Sequence, residues 1–292
     1  MITSSPTALP AVAPRGAVQK TFVPAKILSG FTDSNHFGIL TNEYVSTLSE
    51  TERNAILAEA EATRRFVAQL PPLGPQATVI RDITGPHVDA IRSDPLFAQV
   101  FGRVPHRFCY INPASVIALQ AWIEPRSDTV PTDEAELLEF ALPRKWEVPA
   151  EVSLFPPVGP IQILSSNPAM QGVSIELDQT SGKVMLSAPK HINLVQVKHF
   201  NGRFYLQNGY HRVADALRAG CTEFPAIVVE AFLPDQVAVH GNGTFLIGYV
   251  INLPRPPLVQ DFHSNAALTT KVREPRYGFM VNLDIKPMNI GI

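Results

Sequence analysis

Four consecutive residues, Gly209, Tyr210, His211 and Arg212, hold the densest potential chemistry in the chain, inside the stretch FYLQNGYHRVADALRAG. An apolar run ends at Asn208-Gly209, and a helical pattern opens with Tyr-His-Arg. A helix N-terminus carries partial positive charge, so cationic side chains are disfavoured there unless an anion sits with them. Gly209 would let a ligand approach the backbone closely, and the free N–H groups of the first turn would hold a phosphate, sulfate or carboxylate. Arg212 could grip that anion through two parallel hydrogen bonds. His211 could donate a hydrogen bond or move a proton near neutral pH. A plainer account covers the same residues: His211 and Arg212 cap neighbouring carbonyls or pair with a surface carboxylate. On spacing alone that account is the simpler one.

The elements around this turn are legible from local pattern. INLVQVKHFNGRFYLQ (192–207) reads as a β-hairpin, with Asn201-Gly202 supplying the two positive-φ residues of a type I′ turn. The helix follows at once, with Val213, Ala216 and Leu217 expected to face a sheet and Asp215 and Arg218 to point outward. Gly220 closes the helix as its C′ residue, and FPAIVVE returns as a buried strand. Farther upstream, SETERNAILAEAEATRRFVAQL (49–70) is the clearest helix. Ser49 and Glu52 have capping-box spacing, and Ile56, Ala60, Thr63 and Val67 share a face. HVDAIRSDPLFAQVF (87–101) reads as one or two short helices broken at Pro95, and SVIALQAWI (115–123) as a strand. TDEAELLEFAL (132–142) reads as a helix capped by Thr132. GPIQIL (159–164) reads as a strand, and GVSIELDQTSGKVMLSA as a hairpin about Ser-Gly.

GRFYLQNGYHRVADALRAGCTEFPAIVVE resembles the central motif of the ParB/sulfiredoxin-like superfamily: a hairpin, a G-x-[HR]-R turn opening a helix, a glycine and a buried strand. SVIALQAWIEPRSDTVPTDEAELLEFAL resembles the family's first strand, its proline-arginine turn and the helix after it. The resemblance spans roughly 113–232. It implies an α/β (α+β) fold and nucleotide phosphates bound at the turn and helix start: ParB proteins hydrolyse CTP, sulfiredoxins use ATP, and related serine kinases transfer a phosphoryl group. By the same resemblance Gly209, Tyr210, His211 and Arg212 occupy the phosphate-binding motif, and Pro125-Arg126 the upstream turn. Glu124 beside that turn would serve as base or Mg²⁺ ligand, with ATP or CTP as the nucleotide and His211 as the second catalytic group. Two departures narrow the inference. Tyr210 stands where sulfiredoxins carry the catalytic cysteine and partition proteins a glutamate, and Ala214 stands where the latter have an arginine. Sulfur chemistry and chromosome partitioning are therefore not implied. A non-catalytic ParB-like binding or scaffold module, acting through a protein or DNA partner, is the alternative.

Composition limits the rest. The chain has 292 residues with 45% hydrophobic and 17% charged content and a net charge of -2, so it lacks the basic excess of a general nucleic-acid binder. No apolar run is long enough to span a bilayer. Two cysteines, Cys109 and Cys221, are too few for a disulfide framework and fit a cytoplasmic protein with buried free thiols. His191, His199 and His211 have no zinc-ligand spacing, and no metal site is expected. No Walker motif, nucleophile elbow or dinucleotide fingerprint is present. His240 in HGNGTF reads as a plain turn. The expected organisation is a flexible arm (1–20), a helical N-terminal extension (21–112), the ParB/sulfiredoxin-like domain (113–232), and a C-terminal extension (233–292) of strands and loops packed on the core, without a helix-turn-helix.

Overall fold

The computed structural model describes residues 22–74, 78–125, 129–145, 192–239 and 243–273, and the backbone alone of short strands at 151–153, 161–165, 174–178, 183–187 and 277–281. The N-terminal arm, Arg126, His191 and His240 lie outside the described residues.

The chain is a mixed α/β protein. It opens with β1 (Phe22–Ile27), α1 (Ser34–Val45) and α2 (Glu50–Val67), then β2 (Val79–Asp82), α3 (Pro86–Arg92), α4 (Pro95–Phe101) and β3 (His106–Ile111). Two two-residue strands, β4 (Ile117–Ala118) and β5 (Trp122–Ile123), precede α5 (Glu134–Ala141). After β6 (Glu151–Ser153), β7 (Ile161–Ser165), β8 (Ser174–Asp178) and β9 (Lys183–Ser187) comes the hairpin of β10 (Gln196–Phe200) and β11 (Arg203–Asn208). The remainder is α6 (Tyr210–Arg218), β12 (Phe224–Glu230), α7 (Ile247–Val250), β13 (Leu268–Arg273) and β14 (Tyr277–Val281).

Local signals form the elements they predict. The Ser49–Glu52 capping box is present at the start of α2, which buries Ala60 and Thr63. Asp94 caps α4 ahead of Pro95, so the proline divides two helices rather than kinking one. Asn201 and Gly202 have φ of 50° and 71°, as a type I′ turn requires. Gly220 has φ 80° and ends α6 in a Schellman motif, Cys221 N–H donating to Ala216 and Gly220 N–H to Leu217. β8 and β9 pair antiparallel as expected, and the Ser-Gly turn between them lies outside the described residues. One cap differs: Asp133, not Thr132, caps α5, its carboxylate accepting from Ala135 and Glu136 N–H. A carboxylate there also answers the positive helix end, which a hydroxyl cannot.

The central sheet has the order β2-β3-β12-β10-β11-β4. β10 and β12 are parallel and joined through β11 and α6, whereas β3 lies antiparallel against β12 from His106 to Ile111. The sheet therefore draws strands from both sides of residue 112. The segment 21–112 adds β2 and β3 to its helices, and β3 completes burial of β12, in which six of seven residues are buried. β1, β5 and β13 form a second sheet, with α1 and α2 packed on β13. The expected strand at 115–123 is broken in two. β4 pairs with β11 in the central sheet, and β5 pairs with β1 in the second. The chain changes sheets at Leu119–Ala121, where the ladder cannot take up every amide.

Candidate functional site

Tyr210 occupies that break. Its ring is buried, and its hydroxyl accepts from the N–H of Leu119 at 2.7 Å and of Gln120 at 3.1 Å while donating to Leu206 C=O at 2.7 Å. One proton and two lone pairs are the whole capacity of a phenol. Burial pushes its ionisation up, opposed by the two amides. The Tyr210 hydroxyl is thus saturated within the fold, tying the crossover segment to β11, and only its backbone N–H at the helix start is left for an anion.

Arg212 turns away from the start of α6 toward the end of α5. Nη1 donates to the carbonyls of Phe140 (3.1 Å), Ala141 (3.1 Å) and Asn193 (3.0 Å), and Nη2 to Asn193 Oδ1 (2.9 Å). The last carbonyls of a helix have no intrahelical partner and carry partial negative charge, so a guanidinium is well placed there. Desolvation pushes Arg212 down to about 10. The simpler sequence account, capping of neighbouring carbonyls, is the one this side chain obeys.

Gly209 has φ 92°, and a Cβ there would lie 2.7 Å from Val195 Cγ2. Left-handed backbone and close packing on Val195 explain the glycine without a ligand. Its own N–H is held by Asn208 Oδ1 at 2.8 Å.

His211 faces the other way. With Glu124 and Pro125 it lines a small cleft of about 40 Å³ that also includes Lys26 of β1, Asp215 and Arg218 of α6, and His263 of the turn Val259–His263. Glu124 is half-buried, and none of the hydrogen bonds or ion pairs of the described residues involves it. Asp215, expected to point outward, is buried, its carboxylate 2.7 Å from Arg218 Nη2. His263 Nε2 lies 2.9 Å from Ala214 C=O, and Nδ1 lies 3.5 Å from Lys26 Nζ. A carbonyl only accepts, so Nε2 carries a proton, and Nδ1 is the nitrogen that faces the lysine. Burial and the charges of Lys26 and Arg218 hold its pKa below the usual histidine value.

The structure therefore brings together Glu124 and His211, and separates them from Arg212 and the Tyr210 hydroxyl. Lys26 and His263 are the cleft residues that sequence reasoning missed. Each sits in an unremarkable local context, and only the pairing of β1 with β5 and the packing of the Val259–His263 turn on α6 bring them in. Among the described residues no group of three or more His, Cys, Asp or Glu is arranged to hold a metal ion, and no helix is long and apolar enough to cross a membrane. Burial pushes the Cys109 thiol up to about 11, making it a poor nucleophile. No family model, curated protein or solved structure matches this chain.

Proposed function

We propose that the chain is a ParB/sulfiredoxin-like protein that binds a nucleotide by its terminal phosphate in the cleft beside α6, and hydrolyses or transfers that phosphoryl group. The observation behind this reading is that Glu124 and His211, far apart in sequence, line one cleft together with Lys26 and His263. Phosphoryl transfer needs mainly positioning and charge neutralisation. Lys26 and the His211 imidazole would meet phosphate oxygens. Glu124, the partnerless carboxylate, would take the proton of an attacking water or hydroxyl. The same carboxylate fits an Mg²⁺ ion that arrives with the nucleotide, since such ions use one or two carboxylates plus phosphate oxygens. The cleft of about 40 Å³ is far smaller than a nucleoside, so sugar and base would lie outside it.

A second reading, a non-catalytic module that works through a protein or DNA partner, draws support from Arg212 and Tyr210, whose polar groups serve the fold. The two readings separate by titration calorimetry with ATP, CTP and GTP plus Mg²⁺, paired with a phosphate-release assay. Binding with release that stops in Glu124→Gln, binding itself being kept, supports the enzyme. Binding without release supports the module. No binding of any of the three at about millimolar concentration ends the nucleotide reading.

A further inference from the structure

A second cavity lies at the end of the central sheet away from α6. β10 runs from Gln196, opposite the end of β11 where α6 begins, to His199, opposite Glu230 at the end of β12. Beyond that end opens a pocket of about 300 Å³ between the 103–105 turn, Lys198, Glu230, Phe232 and Gln236. That volume is the lower end of the range for small-molecule sites.

Its walls carry two cations that have no ion-pair partner among the described residues. Neither the Arg103 nor the Lys198 side chain takes part in a hydrogen bond or ion pair among the described residues. Lys198 is half-buried, and desolvation lowers its pKa. The carboxylate in the wall is committed elsewhere: Glu230 Oε2 accepts from His199 Nδ1 at 2.8 Å, and that imidazole is stacked on Phe204 at 4.5 Å. Phe232 stands at the rim with 68% of its surface exposed. It is held in place because Gln236 Oε1 accepts from the N–H of Phe232 at 2.7 Å and of Leu233 at 3.2 Å, which leaves the Gln236 NH₂ as a further donor. An exposed aromatic ring beside a cavity lined by two cations matches a ligand with a flat apolar body and an anionic head.

We propose that this pocket binds a small aromatic oxyanion, its phosphate or carboxylate head between Arg103 and Lys198 and its ring against Phe232. The site is separate from the cleft beside α6 and does not depend on the function proposed for that cleft. A single ring with one head group matches the volume.

The test is calorimetry on the full chain with phenyl phosphate and benzoate, which distinguish the two head groups, and with inorganic phosphate and benzyl alcohol as half-ligands. At least one aromatic anion should bind, with both half-ligands about tenfold weaker or more. Arg103→Gln and Lys198→Gln should each weaken it about tenfold, and Phe232→Ala about threefold to tenfold. Glu124→Gln should leave it unchanged. Arg103 is exposed, so its variant is expected to fold even if Lys198→Gln does not. Failure of both aromatic anions to bind at about 10 mM, or equal binding by wild type and Arg103→Gln, would overturn the proposal.

Discussion

Two neighbouring side chains at the start of α6 have opposite fates. Arg212 reaches back to the carbonyl end of α5, whereas His211 points into a cleft shared with Glu124, Lys26 and His263. The resemblance, and not the spacing, placed both at one anion. The contrast teaches that a cation at the wrong end of its own helix is well placed when it serves the right end of another. Half of the apparent motif is architecture, Arg212 holding α5 to α6 and Tyr210 holding the crossover between the sheets to β11. The other half leaves polar groups, one of them a partnerless carboxylate, at the surface.

The largest effect should come from Arg212. Truncation in Arg212→Ala leaves the Phe140 carbonyl and Asn193 without their donor and the Ala141 carbonyl with the Val195 N–H alone, and should lower unfolding free energy by about 3 kcal/mol in a denaturant titration. Arg212→Lys should recover less than half of that loss, because a point-like ammonium cannot bridge three carbonyls and an amide as the planar fork does. Amide exchange should quicken in 138–142 before the hairpin of β10 and β11 responds. Full stability in Arg212→Ala would return Arg212 to the list of ligand contacts.

Tyr210→Phe comes next. The ring still fits, but the N–H groups of Leu119 and Gln120 lose their acceptor inside the protein, at a cost of about 2 kcal/mol. Because the variant keeps the helix start intact, nucleotide binding at the cleft should persist in whatever fraction stays folded. A loss of binding without a loss of stability would make Tyr210 part of the ligand site after all.

This division also explains what could and could not be read in advance. The capping box of Ser49 and Glu52, the Asn201-Gly202 turn and the Gly220 helix end depend on residues a few positions apart, and each forms as its chemistry dictates. The pairing of β3 with β12 and the sheet change at Leu119–Ala121 depend on residues about a hundred positions distant, where no periodicity carries a signal. Glu124 and His211 were legible through the resemblance. Lys26 and His263 were not, since a lysine on a strand and a histidine in a turn are ordinary until the second sheet is assembled. Asp215 was misread for a related reason: helical phase predicts which side a residue faces, but not that the Val259–His263 turn covers that side.

A smaller effect should follow pH. His263 is held neutral, its pKa depressed below the unfolded value near 6.5. Between the folded and unfolded values the unfolded chain binds more protons, so stability rises with pH through that interval and is complete above it. Acidification below about 6.5 should therefore weaken the fold, with protonation at Nδ1 expelling the Lys26 ammonium. His36 is depressed by burial too and contributes in the same direction. Denaturant titrations between pH 5 and pH 7.5 should show a shallower slope for His263→Gln than for wild type; an unchanged slope would assign the dependence to other groups.

Glu124→Gln should cost least. Its carboxylate makes no bond whose loss would be felt, so stability should change by no more than about 0.5 kcal/mol, within the range of ordinary surface substitutions. Here a small number decides most. Should Glu124→Gln destabilise by more than about 1 kcal/mol, the cleft side of α6 would be as structural as the Arg212 side, and the contrast between them would collapse. Should it leave the fold untouched while stopping phosphate release, the carboxylate is retained for chemistry and not for folding. A stability measurement and a turnover measurement on one variant thus test both sides of the helix start at once.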